Sequence, residues 1–165
     1  MSRVSYASIV SGLMYAMVYT RPDIAHVVGT ISQFWSNPSR EQWNAVKWIL
    51  RYLHGTVDMK LYFGSDKPNL VGYSDSDMAG DIDSRKSTSG YLINFVGGVV
   101  AWQSRLQRCV ALSTTEAEFI AIIEACKELL WFKKFLQELG FRQDNYSLLV
   151  DSQSVIHLGK NPTFH

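Results

Sequence analysis

The chain is short of cysteine: Cys109 and Cys126 are its two thiols in 165 residues. Their spacing forms neither a metal-ligand pair nor a disulfide framework. Both lie in apolar stretches and are read as reduced core thiols. Long apolar runs are also missing. Polar residues and Arg21-Pro22 interrupt each apolar segment, so neither a secretory signal nor a membrane span is predicted. The expected location is intracellular, cytoplasmic or nuclear, and not secreted. Charge of one sign is scarce as well: Lys and Arg number 16, Asp and Glu 15, for a formal net charge of +1. Nucleic-acid binders often carry a strong basic bias. Composition alone therefore does not point to a nucleic-acid substrate. Repeats and low-complexity tracts are absent. What remains is 47% apolar and 19% charged, a globular balance that argues against disorder. A chain of this length can bury one core, or one core with an appendage.

The first third reads as helical. Ile9, Leu13, Met14 and Met17 recur at helical spacing, which predicts a helix over 6–19. Arg21-Pro22 ends it, because the residue before proline avoids helical torsions. Pro22 suits the first turn of a second helix running to about Trp35. After the break at Asn37-Pro38, Ser39 is a good N-cap, and a third helix is expected to bury Trp43, Val46, Leu50 and Leu53 and to stop at Gly55. Three helices with short joints suggest a small bundle or a packed linker.

Near Met59 the period changes. Residues 60–63 fit a short strand, and the turn Gly64–Pro68 is the candidate boundary between a helical segment, 1–63, and a second domain, 64–165. Leu70 to Asp75 is a predicted strand, and 77–87 a polar loop. Thr88–Val96 and Val99–Gln103 read as strands joined at Gly97-Gly98. Ser113-Thr-Thr-Glu116 is a capping-box pattern opening a long helix, with Phe119, Ile122, Cys126, Leu129 and Leu136 inward, that ends at Gly140. A strand over 146–150 and a short helix capped by Ser152 follow. Strand, hairpin, helix, strand, helix is an α/β (α+β) order with a mixed sheet.

Three acids stand out on this layout. Asp75 and Asp151 end predicted strands, and Glu118 lies in the first turns of the long helix. Such positions can converge on one point. Converging carboxylates repel one another unless protons or cations share the site, and hard divalent cations take oxygen ligands. Two such ions can clamp the attacking and leaving oxygens of a phosphodiester displacement. Singly, two of the acids have a plainer explanation: a turn-initiating aspartate for Asp75, an N-cap for Asp151. Glu116 fits helix capping better than the site, and Asp77 and Asp81 fall in solvated loop.

These residues come in blocks: Tyr-Ser-Asp-Ser-Asp-Met-Ala-Gly-Asp at 73–81, Arg-Lys-Ser-Thr-Ser-Gly-Tyr at 85–91, Ala-Leu-Ser-Thr-Thr-Glu-Ala-Glu-Phe-Ile-Ala at 111–121, Asp-Ser-Gln-Ser at 151–154 and Lys-Asn-Pro-Thr-Phe-His at 160–165. In this order they resemble the ribonuclease H domain of copia-type retrotransposon Pol polyproteins. The blocks at 6–16, 20–25 and 45–56 resemble the tail that links the reverse transcriptase to that domain.

The resemblance implies a ribonuclease H-like fold that hydrolyses the RNA strand of RNA–DNA hybrids. It implies Mg²⁺ (or Mn²⁺) as cofactor, with two ions in the intact family site, and Asp75, Glu118 and Asp151 as catalytic metal ligands. Ser74, Ser76, Arg85, Lys86, Ser89, Thr114 and Gln153 become candidate contacts to the nucleic-acid backbone. Partners would be the hybrid and the remainder of a Pol polyprotein, with no membrane. Met78 stands where the family usually has Trp, a change that weakens local packing or a sugar contact. The family's set has a fourth acid beyond the segment that here ends at His165. The expectation is a polyprotein fragment beginning at Met1, lacking most of the polymerase, truncated in its last domain and impaired in cleavage. A non-catalytic remnant acting as an interaction module, and a passive hybrid binder, are the competing readings.

Overall fold

The computed structural model describes residues 4–64, 68–142 and 145–161. Most of the turn expected at Gly64–Pro68 and the last four residues, 162–165 with His165, lie outside them. The chain divides into two compact units, Met1–Leu61 and Tyr62–His165.

The first unit is helical. Helix α1 (Tyr6–Tyr19) is capped by the Ser5 hydroxyl, which accepts a bond from the Ser8 amide. Pro22 opens a single 3-10 turn, Pro22–Ile24, and only then does α2 (Ala25–Ser32) begin, so the second helix is shorter than expected. Helix α3 (Arg40–Gly55) starts in a reciprocal capping box between Ser39 and Gln42. Tyr6, Val10, Leu13, Ile24, Val28, Ile31, Val46 and Ile49 form the core, with Trp43 and Leu53 packed against it. Ile49, not Leu50, is the buried residue of that turn of α3; Leu50 is 43% exposed. The two are 100° apart on the helix, so a small rotation of the apolar face decides between them. The Tyr6 hydroxyl enters this core and donates to the Ile31 carbonyl at 2.8 Å.

The second unit is a mixed α/β layer structure. Strands β1 (Leu70–Asp77), β2 (Thr88–Phe95), β3 (Gly98–Leu106) and β4 (Tyr146–Leu149) form one sheet in the order β3-β2-β1-β4. β1 is antiparallel to β2 and parallel to β4. A parallel neighbour needs a crossover, and α4 (Thr114–Glu138) supplies it between β3 and β4. Helix α5 (Gln153–Lys160) follows β4. Leu70, Ile93, Leu129 and Leu136 form the core of this unit.

Four local expectations are corrected. Residues 60–63 form no strand; instead the Gly64 amide donates to the Val96 carbonyl at 2.9 Å. The hairpin turn is Val96-Gly97, one residue earlier than expected, with Phe95 opposite Gly98. Both turn residues have positive φ, 53° and 75°, as a two-residue hairpin of matching twist requires. On α4 the fully covered stripe is Ala117, Ala121, Ala125, Leu129 and Leu136, while Phe119, Ile122 and Cys126 are half-buried. Gly72 on β1 faces this helix: a Cβ there would lie 3.4 Å from Leu129 Cδ1 and 2.8 Å from Leu148 Cδ1. Small residues on the helix and strand bring the two layers close. Cys109 is exposed rather than core, and both thiols are free.

Candidate metal centre

Parallel strands deliver their ends to one edge of a sheet. β1 reaches Asp75 two residues before its end, and β4 stops at Leu149, two residues before Asp151. Asp75 and Asp151 thereby arrive at the same edge. Helix α4 begins near that edge. The Ser113 hydroxyl accepts from the Glu116 amide at 3.1 Å, and the Glu116 carboxylate accepts from the Leu112 amide at 2.8 Å. The returning bond of the capping pattern thus reaches Leu112 instead of Ser113. Glu116 is spent on the helix start, leaving Glu118, two residues on, for the sheet edge.

One carboxylate oxygen from each of Asp75, Glu118 and Asp151 lies within 4.8 Å of the other two. That span matches two metal–oxygen bonds of about 2.1–2.5 Å each. Asp75 and Asp151 are exposed, and Glu118 is half-buried. Glu118 Oε2 is shielded from solvent and has no hydrogen-bond partner among the described residues. The Glu118 carboxyl is pushed above the usual carboxylate range, first by burial and then by the charges of Asp75 and Asp151; hydrogen bonds from Ser76 partly offset this. The Ser76 amide also donates to Asp75 Oδ1 at 2.8 Å and holds that side chain at the strand end. An oxygen-only donor set with one orphaned buried oxygen fits a hard divalent cation such as Mg²⁺ or Mn²⁺.

The other expected contacts divide by exposure. Ser76 is half-buried between Asp75 and Glu118, and Thr114 is exposed one helical turn before Glu118, on the same face. Gln153 is exposed at the start of α5. Arg85 is exposed and Lys86 half-buried in the loop that leaves the Asp75 end of β1. That loop is held by its own bonds: the Arg85 amide donates to the Asp81 carbonyl at 2.8 Å, and the Asp81 carboxylate accepts from the Ser84 amide and hydroxyl. Arg85 sits at φ 58°, an unfavourable torsion for a side-chain-bearing residue that these bonds impose. Ser74 and Ser89 are the correction. They are 6% and 3% exposed, so their hydroxyls face the interior and not a bound strand. Asp77 is exposed at the end of β1, and Met78 just beyond is 37% exposed.

One buried residue beside the centre escaped the sequence reading. Gln107, directly after β3, is 2% exposed. Its Nε2 donates to Ser89 Oγ and to the Ala117 carbonyl, both at 2.9 Å. In the sequence it sits in Ser-Arg-Leu-Gln-Arg, which looks like a solvated strand end. Strand alternation does not point to it either, since Arg105, two residues before it, is exposed.

No family model matches the chain. It is similar to the retrovirus-related Pol polyprotein from transposon TNT 1-94 of Nicotiana tabacum, 61% identical over 165 residues, 100% of this chain and 12% of that protein. It is similar to the secreted RxLR effector protein 161 of Plasmopara viticola, 52% identical over 132 residues, 79% of this chain and 93% of that protein. The Pol polyprotein from transposon RE2 of Arabidopsis thaliana is 36% identical over 162 residues, 97% of this chain and 11% of that protein. Among solved structures, LC11-RNase H1 isolated from compost aligns with a TM-score of 0.43 at 19% identity, over 59% of this chain and 68% of that one. The chain thus spans about an eighth of the tobacco polyprotein, and no helix among its described residues is long and apolar enough to cross a membrane. On identity that runs across 97–100% of this chain, it belongs to the copia-type retrotransposon Pol polyprotein family.

Proposed function

We propose that Tyr62–His165 is a ribonuclease H-type unit that hydrolyses the RNA strand of RNA–DNA hybrids, with Asp75, Glu118 and Asp151 holding a divalent ion, Mg²⁺ or Mn²⁺. The observation that carries this reading is the convergence of the three carboxylates within 4.8 Å, one of them with a buried oxygen lacking any partner. Like charges held this close are tolerable only when a cation or a proton shares the site. A bound divalent ion supplies charge neutralisation, polarises the phosphodiester and lowers the pKa of bound water.

The chain's own residues do the rest. Asp75 and Asp151, at the ends of parallel strands, fix two ligand directions on rigid backbone. Glu118 brings the third from the helix layer, and Ser76 orients both Asp75 and Glu118. In this reading Arg85 and Lys86, on the loop that leaves the Asp75 end of β1, supply positive charge to the phosphates. Thr114 and Gln153, exposed at the starts of α4 and α5, offer hydroxyl and amide groups to the sugar–phosphate backbone. The 2′-hydroxyl is the group that distinguishes the RNA strand. Relatives of this kind make the remainder of a Pol polyprotein the natural covalent partner.

The test is cleavage of a labelled RNA–DNA hybrid by the purified chain with Mg²⁺. Cleavage is expected only with the divalent ion. Asp75→Asn is expected to lower it by about 10² or more, because a misplaced reacting group costs on that scale. If wild type and Asp75→Asn are equally silent, the chain is a non-catalytic member of its family. Retention of the hybrid without cleavage would identify a passive binder, despite a net charge of only +1.

A further inference from the structure

We infer that Gln107 is a positioning residue for the carboxylate cluster, setting the height of Glu118 over Asp75; this rests on reading the cluster as a divalent-ion site. The observations are geometric. Gln107 lies where β3 ends, and its backbone amide donates to the Ser87 carbonyl at 2.8 Å, continuing the β2–β3 pairing past its last registered pair. Its side chain turns inward. One Nε2 hydrogen goes to Ser89 Oγ and the other to the Ala117 carbonyl.

One acceptor is one residue from the cluster, and the other is two steps from it. Ala117 directly precedes Glu118 and is fully buried. Ser89 pairs with Ser76 across β1–β2, and Ser76 directly follows Asp75. A single amide group therefore joins the helix layer, beside Glu118, to the sheet layer, at the strand partner of Ser76. The orientation of the amide follows from its surroundings: a backbone carbonyl only accepts, so the nitrogen must face Ala117. Gln107 Oε1 has no partner among the described residues. Burying an amide with one atom unpaired is costly, and an apolar residue would pack there at less expense. The two donated bonds are what glutamine adds.

The tether also differs from ordinary core packing. The apolar contacts of α4, Leu129 and Leu136, lie further along the helix. Leu136 is eighteen residues beyond Glu118, about 27 Å at 1.5 Å per residue. Between them and the first turn, the buried helix face is alanine. Alanine side chains interlock little with a sheet, so they leave the first turn free to slide. The hydrogen bond to Ala117 supplies the missing restraint.

The experiment measures Mn²⁺ binding by titration calorimetry on the full chain, with melting of the metal-free protein alongside. Gln107→Met keeps the volume and removes both donors. Leu136→Ala is the control, a core truncation remote from the cluster. Gln107→Met is expected to weaken Mn²⁺ binding about tenfold or more, the range that outer partners of metal ligands control. Leu136→Ala is expected to lower the melting temperature and leave the affinity unchanged. Where Gln107→Met fails to fold, Ser89→Ala, which removes one acceptor and keeps the glutamine, decides with an expected loss of several-fold. Wild-type affinity in Gln107→Met, or in Ser89→Ala where that variant decides, overturns the inference and leaves the cluster reading intact. Equal weakening by Gln107→Met and Leu136→Ala overturns it too, since that is general loosening. Absence of Mn²⁺ binding by wild type removes the cluster reading and this inference together.

Discussion

The carboxylates of Asp75 and Glu118 come from different layers, a central strand and the crossover helix, yet offer oxygens within 4.8 Å of each other. The consequence is electrostatic. Glu118 is half-buried beside two like charges, and its partial burial first, then those charges, raise its carboxyl above its ordinary range. A carboxyl raised on folding binds its proton more tightly in the folded chain. Its contribution to stability is therefore present at low pH and is lost as pH rises through the interval between its unfolded value, 4.5, and its raised folded value. Without metal, the stability of wild type minus that of Glu118→Gln is expected to fall across that interval. Mg²⁺ at saturating concentration is expected to reverse the loss at neutral pH, since a ligand at 100 times its Kd adds about 2.7 kcal/mol. Melting curves of both proteins against pH, with and without Mg²⁺, check this. A pH-independent difference would remove Glu118 from the coupled cluster.

Gly98 is expected to tolerate no side chain. A Cβ there would lie 2.5 Å from the Tyr62 carbonyl oxygen and 2.3 Å from Phe63 Cδ1. The first of these is backbone, which cannot rotate away. Gly98→Ala is expected to destabilise Tyr62–His165 by about 1–3 kcal/mol, the usual cost of overpacking. Urea unfolding measures it; an unchanged midpoint would show that the 62–63 segment does not press on the hairpin.

In the first unit, Asp23 has two partners, and one of them reaches a third residue. Arg21 pairs with it at 2.6 Å, the Tyr52 hydroxyl donates to it at 2.7 Å, and Arg21 also donates to Thr56 Oγ1 at 2.7 Å. The bond from Arg21 holds the Asp23 carboxyl below its ordinary value of 3.8. A depressed carboxyl stabilises above the unfolded value and loses that contribution as pH falls through the folded one. Asp23→Asn is expected to cost about 1 kcal/mol at neutral pH and nothing in strong acid, with the bond energy discounted for partial exposure. Equal stability of the two proteins at neutral pH would mean that this network carries no net energy.

Leu129 connects α4 to the sheet. It is 3% exposed and packs in one cluster with Leu70, Ile93 and Leu136. Leu129→Ala is expected to cost about 2–5 kcal/mol, as truncations of buried leucine do. Its Mn²⁺ affinity, measured where the variant remains folded, should stay near wild type. A large affinity loss would show that the core, and not the Gln107 tether, places Glu118.

Most of the element order was legible in the sequence because it is local information. Ser39 with Gln42, and Ser113 with Glu116, announce helix starts through bonds that span three residues. Pro22 and Gly140 mark breaks through their own torsions. The acids Asp75, Glu118 and Asp151 were legible as candidates because each sits where an element begins or ends. Residues 60–63 misled because a short apolar run carries no period of its own, and pairing decides whether it becomes a strand.

What the chain alone determined, then, is which elements form, in what order, and which side chains with metal-binding chemistry stand at their ends. Tertiary structure decided that those ends meet. Placing β4 beside β1, parallel to it and joined through α4, is what brings Asp151 to Asp75 and Glu118. The same packing turned Ser74, Ser89 and Gln107 inward and left Cys109 outside, and in the first unit the helical core took Ile49 rather than Leu50 from that turn of α3. The physical reason is the range of the forces involved. Caps, turns and periodicity act within about one turn of backbone, whereas burial depends on which surface a distant segment presents.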